Sequence, residues 1–178
     1  MSTDVRGSAI AVRPAALASG WCWLPVSLAV TLLDQLSKGW IERHYALYET
    51  TPLLPVLDIT RLHNAGAAFS FLAGAGGWQR WAFAVLALAV SIGILVWLRS
   101  LAARTQAVLA AGLALVLGGA VGNLLDRIEH GYVVDFIHAH WGAAYFPAFN
   151  VADAAITVGA GLLLLDAWQE WRRERRTS

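Results

Sequence analysis

The chain is 178 residues long, 58% hydrophobic and only 14% charged, with a formal net charge of +1 at pH 7. A soluble domain of this length is nearer half apolar and a quarter charged, so the composition points to a membrane protein. The near-zero charge argues against nucleic acid or a strongly charged partner, the length suits one compact bundle, and the single cysteine, Cys22, leaves no internal disulfide.

Residues 1–20 read as a short mixed tail carrying Arg6, Arg13 and Pro14. The apolar run from Trp21 has the look of a signal-peptide core, but it continues to Trp40 without a small-residue cleavage site, which favours a retained span. Further apolar runs predict spans at 81–98, 107–125 and 151–168, making four with 21–40. At about 1.5 Å per residue, runs of about 18–20 residues match a hydrocarbon core of about 30 Å. Backbone groups in lipid must be paired within the segment, so helices are expected.

Arg6, Arg13, Arg99, Arg104, Arg172, Arg173, Arg175 and Arg176 would share one side of such a bundle. The positive-inside rule makes that side cytoplasmic, with both termini inside and loops 41–80 and 126–150 outside. The nine tryptophans fall at or near the ends of the predicted spans, as an interfacial belt requires, and all five histidines fall in the two outer loops. Within the first outer loop, 53–61 is rich in β-favouring residues between Pro52 and Asn64 and predicts a strand-like element. The segment 69–78 reads as an interfacial helix or a flap, with Gly74, Gly76 and Gly77 giving it freedom.

Polar residues at membrane depth are costly and are usually functional. Asp34 and Lys38, four apart, share a helix face; the simplest reading is an ion pair near the interface with Lys38 snorkelling. Ser37 and Lys38 also suggest a nucleophile and base, but adjacent helix residues do not face each other. Gly118, Gly119 and Gly122 make a small-residue patch for close helix approach. Asp126 beside Arg127 reads as a compensated pair, and Asn123 and Arg127, on one face, suit the carbonyls of an extended peptide.

Two aspartates stand out. Asp135 lies between Val133-Val134 and Phe136-Ile137, where desolvation favours the protonated acid; the plain alternative is a solvated loop residue. Asp153 follows Asn150 by three, so Asn150 can cap a helix and Asp153 falls at its third position, where the dipole favours the carboxylate. One acid that leans neutral beside one that leans charged is what acid–base work needs, although sequence spacing alone does not establish contact. His138 and His140, with His130, invite a metal reading, but the segment lacks H-E-x-x-H and has no cysteine ligand. There is no G-x-S-x-G either.

The blocks DQLSK at 34–38, NAGAAFSF at 64–71, GGAVGNLLDR at 118–127, VVDFI at 133–137 and FNVADAAI at 149–156 occur in an order that resembles the lipoprotein signal peptidase (signal peptidase II) family. The resemblance implies an all-α membrane protein of four transmembrane helices, a single domain over residues 1–178, with a small β-rich extracytoplasmic element between helices 1 and 2 and a mobile outer helix within 41–80. It implies an aspartyl endopeptidase of the bacterial inner membrane that removes the signal peptide from diacylglyceryl-modified prolipoproteins, just before the lipid-bearing cysteine. The catalytic pair maps onto Asp135 and Asp153, and the supporting residues onto Asp34, Lys38, Asn64, Asn123, Asp126, Arg127 and Asn150. No metal or organic cofactor is expected, and the protein is expected to be a monomer with its site at the outer face. Two other readings stay open at this point: a non-enzymatic carrier or assembly factor, and a serine–lysine peptidase using Ser37 and Lys38.

Overall fold

Helix α3 (Ala107–Glu129) packs against each of the other three helices, α1 (Leu24–His44), α2 (Trp78–Ser100) and α4 (Val151–Thr177). The structure is a computed structural model and describes residues 19–66 and 78–177. Small side chains let α3 take this central place: Ala110, Gly112, Ala114, Gly118, Gly119, Ala120 and Gly122 are all buried along it. A Cβ on Gly118 would sit 2.6 Å from the Ser27 carbonyl of α1, and one on Gly119 would collide with the Ala152 carbonyl of α4. The predicted small-residue patch is therefore where α1 and α4 approach α3 from two sides. Ile94, Leu98, Leu101, Ala110, Leu113 and Leu117 form the apolar core toward the opposite end, closed by the 3-10 turn Gly20–Trp23, whose first amide bonds Leu101 O at 3.0 Å.

Among the described residues, three helical stretches, Trp78–Ser100, Ala107–Glu129 and Val151–Arg176, are long and apolar enough to cross a membrane. Helix α1 falls short of that description because Asp34, Lys38, Glu42 and Arg43 lie in it, while Leu28, Leu32, Leu33, Leu36 and Trp40 stay exposed on its outer side. The helices also outrun the predicted apolar stretches. Helix α3 continues to Glu129 with Asn123 and Asp126 buried in its last turns, and α4 continues to Thr177. Composition marks where lipid would begin and end, whereas a helix persists as long as its backbone bonds and side-chain partners allow.

The β structure is larger than the strand-like element expected between the first two helices. Strands β1 (Thr50–Leu54) and β2 (Leu57–Asn64) make a hairpin, and β3 (Val133–Trp141) and β4 (Ala144–Tyr145), from the segment between α3 and α4, complete an antiparallel sheet in the order β1-β2-β3-β4. The segments between α1 and α2 and between α3 and α4 are thus one unit, joined by β2–β3 pairing that sets Leu62 opposite Asp135 and Asn64 opposite Val133. Val134 and Phe136 on one face of β3 pack on Ile41 at the end of α1. Arg61 ties the hairpin to the same helix end, bonding Tyr45 O at 3.0 Å and the Glu42 carboxylate at 3.2 Å. The predicted outer helix or flap at 69–78 lies outside the described residues except for Trp78, which begins α2.

Candidate active site

Alternation along β3 sends Val134 and Phe136 to the α1 side and Asp135 to the other, toward the start of α4. Asp135 is therefore not a solvated loop residue; it sits on a strand and is only 3% exposed. Phe149 pairs with Ile137 through both amides, at 2.8 and 3.0 Å, and this short bridge delivers the next residue, Asn150, beside Asp135.

Asn150 is fully buried and joins the two acids. Its Nδ2 donates to Asp135 Oδ1 at 2.7 Å, to Asn123 Oδ1 at 3.2 Å and to Val134 O at 3.3 Å. Its Oδ1 accepts the Asp153 amide at 2.9 Å, and its own amide reaches Asp153 Oδ2 at 3.4 Å. The last two bonds form a reciprocal cap, so the helix start predicted from Asn150 and Asp153 is present. Asn64 donates to the other oxygen of Asp135 at 3.0 Å, and Asn123 donates to Asp153 Oδ1 at 2.7 Å. Each aspartate is thus held by two asparagines, with Asn150 common to both.

Burial, reinforced by the negative charge of Asp153, pushes the Asp135 carboxyl up to about 7; the bonds from Asn64 and Asn150 and the charge of Lys38 oppose the rise. A carboxyl of that kind is ready to carry a proton near neutrality.

Beneath the pair lies a buried ion cluster. Lys38 Nζ is 2.6 Å from Asp34, 2.9 Å from Asp126 and 2.9 Å from Asn123 Oδ1. Lys38 turns inward and is 2% exposed, so it does not snorkel as expected. Asp34 Oδ1 accepts the Ala152 amide at 2.9 Å, and Asp126 Oδ2 accepts the Val134 amide at 3.1 Å. Each carboxylate therefore grips the backbone next to one of the two acids, Asp153 or Asp135. The expected Asp126–Arg127 pairing is not what the fold uses, because neighbouring helix residues point about 100° apart. Asp126 forms its ion pair with Lys38, while Arg127 bonds Asn123 O at 3.0 Å, lies 5.3 Å over the Phe83 ring and interacts electrostatically with Asp153, Asp135 and, least of the three, Asp126. The Asn123 Oδ1 accepts from Lys38 and Asn150 while its Nδ2 donates to Asp153, so this side chain links the ion cluster to the acids.

Gln35 is a member of the cluster that residue-by-residue reading passed over. Its Nε2 donates to Asp126 Oδ1 at 2.8 Å and to Gly122 O at 3.1 Å. The signal was its place between Asp34 and Lys38 in the DQLSK block. Ser37 offers no nucleophile here: its hydroxyl donates to Asp34 O at 2.8 Å, within its own helix. The histidines are not simply loop residues either. His63 is on β2 and stacks on Tyr132 with ring centroids 3.8 Å apart, and His138 and His140 are on β3 against Tyr145. Among the described residues, no three His, Cys, Asp or Glu side chains converge as a metal site.

Residues 26–169 match the profile of the family described as "Signal peptidase (SPase) II". Among curated proteins, the chain is 48% identical over 159 residues to a lipoprotein signal peptidase of Shewanella pealeana, covering 89% of this chain and 93% of that one. It is 51% identical over 150 residues to one of Pseudoalteromonas translucida, covering 84% and 90%. Two solved structures of bacterial membrane enzymes superpose with TM-scores of 0.73 and 0.71, at 26% and 28% identity, covering 84% and 82% of this chain and 89% and 91% of those.

Proposed function

The chain belongs to the signal peptidase II family of aspartic peptidases, and on that footing we propose that Asp135 and Asp153 are its catalytic pair, removing the signal peptide from lipid-modified prolipoproteins. The observation that carries the assignment is Asn150, which bonds both carboxyl groups at once. Residues 1–178 act as one membrane-embedded peptidase domain. Its multi-pass character rests on the three long apolar helices and the membrane-enzyme relatives. Helix α1 is the fourth span: Ser27, Thr31, Gln35 and Lys38 turn toward α3, and Leu28, Leu32, Leu33 and Leu36 turn to lipid.

Asp135 carries the shared proton, in keeping with a carboxyl raised to about 7, and Asp153 is the base. Asp153 takes a proton from a water held between the two acids, and that water attacks the scissile carbonyl. Asp135 gives its proton to the developing oxyanion, and the proton that Asp153 gained then passes to the leaving amine. Arg127, half-buried beside both acids, positions the peptide; Asp34, Lys38, Asn64, Asn123, Asp126 and Asn150 hold the acids. The substrate is a prolipoprotein whose cysteine carries diacylglycerol, cut just before that cysteine, with the lipid tails against the helices. The pair and the sheet lie at one end of the bundle, opposite the arginines of the α2–α3 connection and of α4, and the positive-inside rule supports a site at the outer face of the inner membrane. The enzyme acts as a monomer.

Incubation of purified protein with a diacylated precursor, read as a gel shift, tests the reading. Asp135→Asn and Asp153→Asn should each remove at least ~1,000-fold of the turnover while still inserting in the membrane. Full cleavage by either variant would refute the assignment.

A further inference from the structure

Helix α4 is longer than a bilayer requires. Its 27 residues span about 40 Å, against about 30 Å for the hydrocarbon core. It starts beside the two acids at one rim, so its last turns emerge at the other. Trp168 and Trp171 stand there, each about half exposed, and Arg172, Arg173, Arg175 and Arg176 follow. Interfacial tryptophans mark the headgroup level, and guanidinium groups just beyond them lie at phosphate depth.

The charges on this stretch are sorted by side. At about 100° per residue, Arg172, Arg175 and Arg176 fall on the side of Trp168, while Glu170 and Glu174 share the opposite side. Arg172 lies 4.8 Å over the Trp168 ring and Arg175 lies 4.2 Å over the Trp171 ring. Trp168, Gln169, Arg172, Arg173 and Arg176 line a shallow hollow of about 240 Å³. Stacking on the indoles limits the freedom of the arginines before any ligand arrives, so less entropy is lost when a guanidinium forks onto a phosphate.

We propose that 168–176 is a docking surface for the anionic phospholipid headgroups of the leaflet at that rim. Charge complementarity selects this occupant: the helix offers a one-sided basic strip at the depth of a layer of phosphates. The strip then fixes the vertical position of α4, and through it the depth of the helix start that carries Asp153.

The full-length protein in neutral detergent tests this by thermal unfolding with added phosphatidylglycerol, phosphatidylcholine or inorganic phosphate. Phosphatidylglycerol should raise the midpoint by several degrees, and the other two should leave it in place. R172Q/R175Q/R176Q should keep the lipid-free midpoint, since these side chains are exposed, and lose more than half of the phosphatidylglycerol shift. A full shift in the triple variant, an equal shift from phosphatidylcholine or phosphate, or no shift in the parent protein would each overturn the proposal.

Discussion

Asn150 Nδ2 lies 2.7 Å from Asp135 Oδ1, in a bond that runs from the cap of α4 to the middle of β3. The same side chain receives the Asp153 amide at 2.9 Å. Asn150→Ala would remove the cap, worth about 1–2 kcal/mol, and would loosen the two acids together. The lost donor had favoured the ionised form of Asp135, so that carboxyl would rise further above about 7. If Asp135 is the proton donor, activity declines as pH climbs through this value, and the alkaline limb of the pH–rate profile should move upward in the variant. A limb that stays put or moves down would show that Asn150 does not tune this acid.

The raised Asp135 also links stability to pH. Its folded-state value, about 7, is above the ordinary 3.8, so between these limits the folded chain binds a proton that the unfolded chain has released. The stabilising contribution is complete below about 3.8 and is lost as pH rises through about 7. Above that, the folded protein must hold a buried carboxylate, at a cost on the order of 2–4 kcal/mol. Asp135→Asn carries no such cost. Its melting midpoint should gain on that of the parent as pH goes from 5 to 8, even as turnover disappears. A constant difference across that range would mean that the burial of Asp135 is not what perturbs it.

Lys38 meets two carboxylates and an amide oxygen within 2.9 Å, and its side chain is only 3% exposed. Lys38→Met would leave Asp34 and Asp126 buried without their counter-charge, a loss of about 3–5 kcal/mol. The triple replacement D34N/K38M/D126N removes all three charges and should recover part of that stability. Its activity should stay low, because Asn at 34 and 126 holds the Ala152 and Val134 amides less firmly than a carboxylate does. Midpoints and turnover of the single and triple variants, measured side by side, separate charge burial from positioning. A triple variant no more stable than K38M would show that the cluster contributes net stability as a unit.

How much of this was legible depended on sequence distance. The cap joins Asn150 and Asp153, three positions apart, and local rules were enough to place it. The Asp34–Lys38 pairing is one helical turn, and it too was readable. The sheet was not, because β2 and β3 are separated by the whole of α2 and α3, and neither strand carries a signal naming its partner. Asp126 shows the same limit: its nearest cation in sequence is Arg127, but its cation in space is Lys38, on another helix. Hydropathy alone could not say that Ser27, Thr31, Gln35 and Lys38 of α1 turn toward α3. Gln35 lies within the DQLSK block, but its bond to Asp126 on α3 is set by the packing.

Ser37 separates this site from a serine–lysine peptidase. Its hydroxyl donates only along its own helix, to Asp34 O at 2.8 Å, and the Lys38 ammonium beside it is occupied. Ser37→Ala removes one intrahelical bond and slightly raises helix propensity. Stability should change by less than about 0.5 kcal/mol and turnover by less than about twofold, a difference of ~0.4 kcal/mol. Cleavage assays at matched enzyme concentration check this, and a loss of two or more orders of magnitude would restore the serine reading.

Gly122 is where the helix packing and the chemistry meet. A Cβ at this position would come within 2.6 Å of Asp34 Oδ2 and 3.4 Å of Ala152 Cβ. Asp34 has little room to give way, because Lys38 holds one oxygen at 2.6 Å and the Ala152 amide holds the other at 2.9 Å. Gly122→Ala should therefore cost about 1–3 kcal/mol through overpacking and push the first turn of α4 away from α3. Since Asp153 is in that turn, turnover should fall more than the stability loss alone explains. Gly161 supplies the contrast: a Cβ there meets nothing within 4 Å, so Gly161→Ala should gain up to about 1 kcal/mol from helix propensity and leave turnover intact. If the two alanine variants melted and cleaved alike, the close approach of α1, α3 and α4 around Asp34 would not be what sets the position of Asp153.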